Sequence, residues 1–348
     1  MTLGTMENKY EVTIGIPVYN VEKYIRLTME SLLSQTFPSI EFIFCDDCGK
    51  DASVDIIRDY QQNHPRGKDI RIVRQPQNMG IGAARNRMIA EASGRYFYSL
   101  DADDAIESNT IELLYNNAKK YQAEIVYGSY KRVFQEDDKT VRTVSFPYPF
   151  RVFTKEDEYA DYVYNVGVQG MNWNYLIDLD IIRRNNLKVT PVGHGYGEDF
   201  TFTIDLPTYI TRAVLLPDIT YHYYIRGIDK HKRKKVLKRK DMTIALAALD
   251  EKKRRTELQH KSYYSKRISI LMMFDHSFAS EMVAKRADFD MPFTNKEIRD
   301  VMWHPMSLWQ ILKAKPGRLR NLLYYTYGKL PPNIFVLILR VMRNRNID

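Results

Sequence analysis

The feature that most restricts this chain is a repeated change of hydrophobic period between residues 11 and 135. EVTIGIPVYN is rich in strand formers, and VEKYIRLTMESLLSQ after it sets Ile25, Met29, Leu32 and Leu33 at helical spacing. IEFIFCDD is a continuous apolar run ending in acid, and DASVDIIRDYQQ opens a helix with Asp51 as candidate N-cap. IRIVRQ and AARNRMIAEAS repeat the pair, RYFYSLDADD and IELLYNNAKKYQ repeat it again, and AEIVYGSYKRVF supplies a fifth strand. This order predicts an α/β fold, a mainly parallel sheet with helices on both faces. Ligands of such sheets bind beyond the strand C-termini. Here those ends carry Pro17, Tyr19 and Asn20, then Asp46 and Asp47, then Asp101 and Asp103.

The run YFYSLDADD puts Asp101, Asp103 and Asp104 within four positions. Carboxylates that close repel one another, and burying them costs several kcal/mol unless a positive group is near. The spacing therefore asks for a cation. Asp104 reads as a cap for the following turn.

Beyond residue 140 the pattern loosens through MNWNYLI, a helix-like IDLDIIRRNNL, HGYGEDFTFTIDL and a late β segment, LPDITYHYYIR. From about 229 the texture is basic and helical. Residues 229–348 hold 27 Lys and Arg against 12 Asp and Glu, a net of +15; the whole-chain +9 leaves −6 on residues 1–228. We place a domain boundary near 228, with a first half at about 10–135 and a second at 136–228 inside the acidic body. Such asymmetry points to an anionic partner for the basic region. Cys45 and Cys48 form a C-x-x-C. A zinc site needs about four ligands and no second cluster is present, while redox cysteines open a helix rather than flank two aspartates. The pair reads as coincidental, and the chain as a reduced, cytoplasmic protein. The N-terminus has no signal-peptide pattern, and IFVLIL (334–339) is far short of a membrane span.

Taken in order, VTIGIPVYNVEKYIRLTMESLLSQTFPSIEFIFCDDCGKDAS, NMGIGAARN, GRYFYSLDADD and GEDFTF resemble the family 2 glycosyltransferases with the GT-A fold, over roughly residues 11–226. Each stretch alone is weak; the four in order on a βαβ frame are a strong signal. The resemblance implies a divalent cation, Mn²⁺ or Mg²⁺, as the positive group, met together with a nucleotide diphosphate. Hard ions prefer carboxylate and phosphate oxygens, and such an ion neutralises charge on the departing diphosphate.

By this resemblance Pro17 and Tyr19 line a nucleoside pocket, and Asp47 contacts the base, usually uracil. The family's D-D-G-S-x-D reads D-D-C-G-K-D here, so Cys48 and Gly49 depart from it. Asn78 and Arg85 sit beside the nucleotide, Arg85 alternatively being a helix-surface ion pair. Asp101 faces the ribose or a metal-bound water, and Asp103 meets the metal. Asp199 is the base that takes the acceptor proton, with Glu198 beside it as an acceptor-binding or structural partner; both acids also suit a helix N-terminus. One base with in-line displacement implies inversion at the anomeric carbon. Trp173 either stacks on an acceptor sugar or fills the core, and His222 is either a metal ligand or structural. His194 and Tyr196 are further acceptor candidates.

The implied reaction moves one sugar from a nucleotide sugar, most often a UDP-sugar, to a saccharide or polyprenyl-linked acceptor in surface-polysaccharide assembly. The Q-x-x-R-W of processive synthases is absent. A metal-dependent phosphohydrolase or nucleotidyltransferase would need a nucleophilic Asp or a phosphate-cradling loop, and N-M-G-I-G-A-A-R lacks the P-loop Lys. A non-catalytic nucleotide- or carbohydrate-binding scaffold is the third reading. The basic region, with Trp303, Trp309, Tyr324, Tyr325, Tyr327 and IFVLILRVMRNR, suits attachment to the anionic inner face of a membrane. Packing on the body and homodimer formation is its other use. No nucleic-acid motif accompanies the charge.

Overall fold

The structure is a computed structural model, and it describes residues 10–168, 170–191, 198–226, 237–254 and 264–345. In chain order the first elements are β1 (Tyr10–Val18), α1 (Ile25–Leu33), β2 (Ile40–Asp46), α2 (Ser53–Asn63), β3 (Ile70–Arg74), α3 (Ile81–Glu91) and β4 (Gly94–Ser99). Then come β5 (Ala105–Ile106), α4 (Thr110–Tyr121), β6 (Ile125–Glu136), β7 (Lys139–Phe146), β8 (Arg151–Phe153) and α5 (Glu158–Asn165). They are followed by β9 (Tyr175–Asp178), α6 (Leu179–Arg184), α7 (Glu198–Thr203), α8 (Leu206–Tyr209) and β10 (Ala213–Arg226). The remainder is helical: α9 (Arg239–Arg254), α10 (Tyr264–Ala284), α11 (Asn295–Asp300), α12 (Leu308–Lys313), α13 (Arg318–Tyr327) and α14 (Pro332–Arg345).

The chain divides into two compact units that interleave in sequence. The first comprises 1–154, 171–193 and 212–232; the second comprises 155–170, 194–211 and 233–348. The residues placed before 228 from sequence are thus shared between both.

The first unit holds one sheet in the order β3-β2-β1-β4-β9-β6-β10-β5, with β7 on β6 and β8 on β10. β3, β2, β1 and β4 run parallel, as the alternating pattern predicts. β9 was not foreseen. It lies antiparallel between β4 and β6, so the fifth expected strand does not join the fourth. Its four residues are too few to show a period, and the residues read as the start of a helix (Ile177, Asp178) finish it. The chain passes from β1 to β2 to β3 toward one edge and then returns to the other side of β1 with β4. The crevice at this switch lies beyond the C-terminal ends of β1 and β4, where the suggestive residues cluster.

β2 is buried at every position, which explains an apolar run interrupted before its acidic end only by the paired Glu41. Ile25, Met29, Leu32 and Leu33 of α1 are buried together in the same cluster as Ile14, Phe44 and Tyr98. Thr28 lies on that face too, and its Oγ1 donates to the carbonyls of Ala102 (2.9 Å) and Asp104 (2.7 Å). The hydrophobic face of α1 therefore also fixes the loop after β4.

In the second unit α10 packs against α5, α8 and α11 to α14. Several buried charges in it are paired, which offsets the cost of their burial. Asp205 meets Arg267 at 2.6 Å and also Lys252, and Lys253 meets Asp275 at 2.9 Å. Tyr324 and Tyr327, expected at a surface, are buried in this core, where Tyr324 stacks on His276. Trp303 and Trp309 are exposed. Among the described residues no helix is long and apolar enough to cross a membrane.

Candidate active site

The loop after β4 presents its acids in three environments. Asp101 accepts from Arg85 Nη2 at 2.9 Å. Arg85 is buried on α3 rather than lying on a helix surface, so its charge is committed to this site. Asp103 Oδ2 accepts from Arg226 Nη1 at 3.3 Å, and its backbone carbonyl accepts from Arg226 Nη2. Although the Asp103 side chain is 44% exposed, the packing around it and then the Asp101 charge push its pKa up, with Arg226 pulling it back.

Asp104 does not cap a turn. It is fully buried, with Oδ2 accepting from Tyr221 Oη (2.8 Å) and Oδ1 from the Tyr224 N–H (2.8 Å). Desolvation, then the Asp103 and Asp101 charges, raise its pKa well above the usual carboxylate range. Tyr221 Oη in turn accepts from the Asp101 N–H at 3.3 Å. One tyrosine thus ties β10 to Asp101 and Asp104, on either side of Asp103, and the acid that points inward anchors the loop that presents the other two.

The loops after β1 and β2 are laced together. Asn20, at φ 53, accepts from the Lys50 N–H through Oδ1 (2.8 Å). Asp51 accepts from the N–H of Glu22 (2.9 Å), and Glu22 from the N–H of Ala52 (2.8 Å). Asp51 also takes the N–H of Ser53 (3.1 Å), so it serves the start of α2 from one residue before the cap position. Asp47 accepts from the N–H groups of Met79 (2.8 Å) and Gly80 (2.9 Å). Gly80 has φ 83, a conformation in which a side chain is strained, and it turns the chain into α3. Asp47 therefore holds the loop that carries exposed Asn78 and leads to Arg85. Tyr19 is 46% exposed and Pro17 half-buried at the same rim.

Cys45 and Cys48 are free thiols. Burial, then the Asp47 charge, pushes the Cys45 thiol up to about 12. Cys48, at φ 62, donates Sγ to the Gln75 carbonyl at 3.3 Å. Cys48 thus serves the loop, while Cys45 is buried within β2.

Trp173 belongs to the core, which corrects its assignment to an acceptor sugar. It is 3% exposed, stacks on Tyr221 at 4.2 Å and meets Tyr130 edge-on at 5.2 Å. His222 Nε2 lies 2.6 Å from Glu107 Oε1, and Lys131 lies 3.6 Å from the same oxygen. Burial lowers the imidazole pKa while Glu107 opposes it. The structure thus gives His222 to Glu107 and not to the aspartates. Asp199 lies half-buried in the first turn of α7, in the second unit. Glu198 opens α7, but its side chain, like His194 and Tyr196, lies outside the described residues. Sequence reasoning missed Tyr221, Tyr224 and Arg226; the dense aromatic alternation of YHYYIR is the signal that marks them.

Among the described residues no three His, Cys, Asp or Glu side chains converge as a metal cage. Two carboxylates, Asp101 and Asp103, share the rim, and each already faces a cation. This donor set fits a hard divalent ion that brings further oxygens with it in a bound diphosphate, and does not fit a closed structural site.

The strand order is that of the GT-A fold, and its switch point is faced by two acids and two arginines. A search of solved structures agrees on the fold. Staphylococcus aureus TarS residues 1–349, in complex with UDP-GlcNAc, superposes with a TM-score of 0.68 at 17% identity, covering 96% of this chain and 92% of that one. Residues 13–177 match the model of glycosyl transferase family 2. The glycosyltransferase GlyA of Streptococcus pneumoniae is 38% identical over 120 residues, 34% of this chain and 17% of GlyA. The putative glycosyltransferase EpsH of Bacillus subtilis is 30% identical over 215 residues, 62% of this chain and 60% of EpsH. The chain covers less than two thirds of either relative's length.

Proposed function

We propose that the protein transfers a single sugar from a nucleoside diphosphate sugar, a UDP-sugar, to a hydroxyl of a saccharide or lipid-linked acceptor in surface-polysaccharide synthesis. The observation that carries this reading is the arginine-paired Asp101 and Asp103 at the sheet switch point. The UDP-GlcNAc complex of TarS supports a nucleotide-sugar donor. Pro17, Tyr19, Asp47 and Asn78 border the nucleoside end, and Arg85 and Asp101 the phosphate end. Asp101 and Asp103 would hold Mn²⁺ or Mg²⁺. When bound, that ion supplies charge neutralisation for the leaving diphosphate. Asp199 takes the acceptor proton, and in-line attack inverts the anomeric centre.

We assign the second unit a membrane-facing role at an anionic surface. Residues 301–347 contain eight Lys and Arg and no Asp or Glu. Leu319 and Leu323 are exposed at helical spacing on α13, as are Ile334, Leu337 and Val341 on α14, and Trp309 is 65% exposed. Apolar rows among bases suit a helix lying on acidic headgroups.

Calorimetric titration with UDP and Mn²⁺ tests the donor assignment. Binding of UDP that is weakened at least tenfold in Arg85→Ala supports it; absence of binding by any nucleoside diphosphate contradicts it.

A further inference from the structure

Arg226 is the last residue of β10, and its surroundings differ from those of a surface arginine. The guanidinium lies 4.1 Å from the ring centre of Tyr24 and 4.8 Å from that of Tyr224. Two aromatic rings therefore hold it by their negative faces. From there it grips Asp103 twice, through Oδ2 and through the backbone carbonyl. Its side chain is 14% exposed, against 44% for Asp103. The cation is thus held more firmly than the acid it serves. Arg85 does the corresponding work for Asp101 from inside α3.

A divalent ion binding Asp103 must approach a carboxylate whose Oδ2 Arg226 already faces. Two cations at one carboxylate repel, and at such separations a unit charge changes an affinity by roughly tenfold or more. Guanidinium also binds phosphate oxygens well, because its planar fork matches them. A diphosphate arriving beside Asp103 offers Arg226 a second anion.

We propose that Arg226 is a placeholder cation. In the donor-free protein it balances and positions Asp103, and it excludes divalent metal from that oxygen. When the donor's diphosphate arrives, Arg226 would turn its fork to the phosphates and leave Asp103 Oδ2 free to hold the ion. Metal and nucleotide then bind as a coupled pair, each tightening the other by the same factor. This inference rests on the metal-dependent reading above.

The test is Mn²⁺ binding to the whole protein, read from the spectrum of free Mn²⁺ by electron paramagnetic resonance, with and without UDP. Wild type is expected to bind Mn²⁺ weakly alone and roughly tenfold or more tighter with UDP. Arg226→Gln is expected to bind Mn²⁺ alone roughly tenfold tighter than wild type, with most of the UDP effect gone. Arg226→Lys keeps the charge and is expected to behave like wild type. Tyr24→Leu removes one wall around the guanidinium and is expected to act as Arg226→Gln does, to a smaller extent. Adding Asp103→Asn to Arg226→Gln is expected to abolish the gain. If Mn²⁺ binds with UDP, yet Arg226→Gln and Tyr24→Leu bind it alone no tighter than wild type, the placeholder role is wrong and the metal reading stands. If neither wild type nor Arg226→Gln binds Mn²⁺ even with UDP, both are wrong.

Discussion

Arg85 Nη2 lies 2.9 Å from Asp101 Oδ1, and the guanidinium is 3% exposed while the carboxylate is 22% exposed. A buried charge facing a half-open one is held by the fold and displayed at the site. Arg85→Ala leaves an acid without its counter-charge and an opening in α3's packed face. We expect a loss of about 3 kcal/mol of stability in urea unfolding. Arg85→Lys keeps the charge without the fork, and should recover most of the stability but little of the UDP affinity.

Asp104 supports the site without touching a ligand. Asp104→Leu removes both acceptors from Tyr221 and from the Tyr224 N–H. Each buried donor left unpaired costs about 1–3 kcal/mol. The melting temperature should therefore fall, and UDP affinity with it, because the loop bearing Asp101 and Asp103 loses its anchor. A variant that melts like wild type and binds UDP equally well would remove Asp104 from this role.

Glu41 on β2 sets an acid limit on stability. It is buried, and accepts from Thr13 Oγ1, from the N–H and Oγ of Ser93, and from Arg71. Burial alone would raise its pKa, but the Ser93 N–H, then Arg71, Thr13 and the Ser93 hydroxyl, outweigh it and the pKa is lowered. A depressed carboxylate contributes stability that is present above its unfolded pKa, about 4.3, and lost as pH falls through the folded value. Wild type should lose stability below about pH 4.3, and Glu41→Gln should be less stable at pH 7 by about 2 kcal/mol with a flatter acid limb. Equal acid limbs in the two proteins would contradict this.

Asp199 is assigned the acceptor proton. Asp199→Asn should lower kcat by at least about a hundredfold, within the range of general-base effects, and leave UDP affinity within about twofold. Unchanged turnover would remove Asp199 from the base role, whereas nucleotide binding without turnover in wild type would point to the scaffold reading.

The exposed rows on α13 and α14 carry the membrane assignment. Wild type should co-sediment with vesicles containing anionic phospholipid and be released by salt. Leu319→Glu with Leu337→Glu should bind them at least tenfold less, since both substitutions put charge on the proposed contact face. If the double variant sediments equally, or instead only changes a monomer–dimer equilibrium, the face has another use.

What the sequence revealed follows from physics that acts over short range. β1 to β4 and α1 to α3 were legible because burial on one or both faces forces a period, as Ile25, Met29, Leu32 and Leu33 illustrate. Asp101 and Arg85 were singled out by their motifs, although their direct pairing was not foreseen. Asp104 was misjudged because an acid after two acids looks like a turn, and only β10, more than a hundred residues later, supplies Tyr221 and Tyr224 as its partners. Trp173 was ambiguous for the same reason: whether its ring is covered depends on Tyr221. Arg226, one arginine at a strand end, becomes informative only once Tyr24, Tyr224 and Asp103 surround it.

The most direct test of the account is release of nucleoside diphosphate from a panel of nucleotide sugars, with Mn²⁺, Mg²⁺ or EDTA, by wild type and Asp103→Ala, in the presence of a panel of saccharide and lipid-linked acceptors. The account predicts metal-dependent release from one UDP-sugar, stopped by EDTA and reduced at least about a hundredfold in Asp103→Ala. Release that is indifferent to EDTA and to Asp103→Ala, or turnover of no donor with any acceptor, would contradict it.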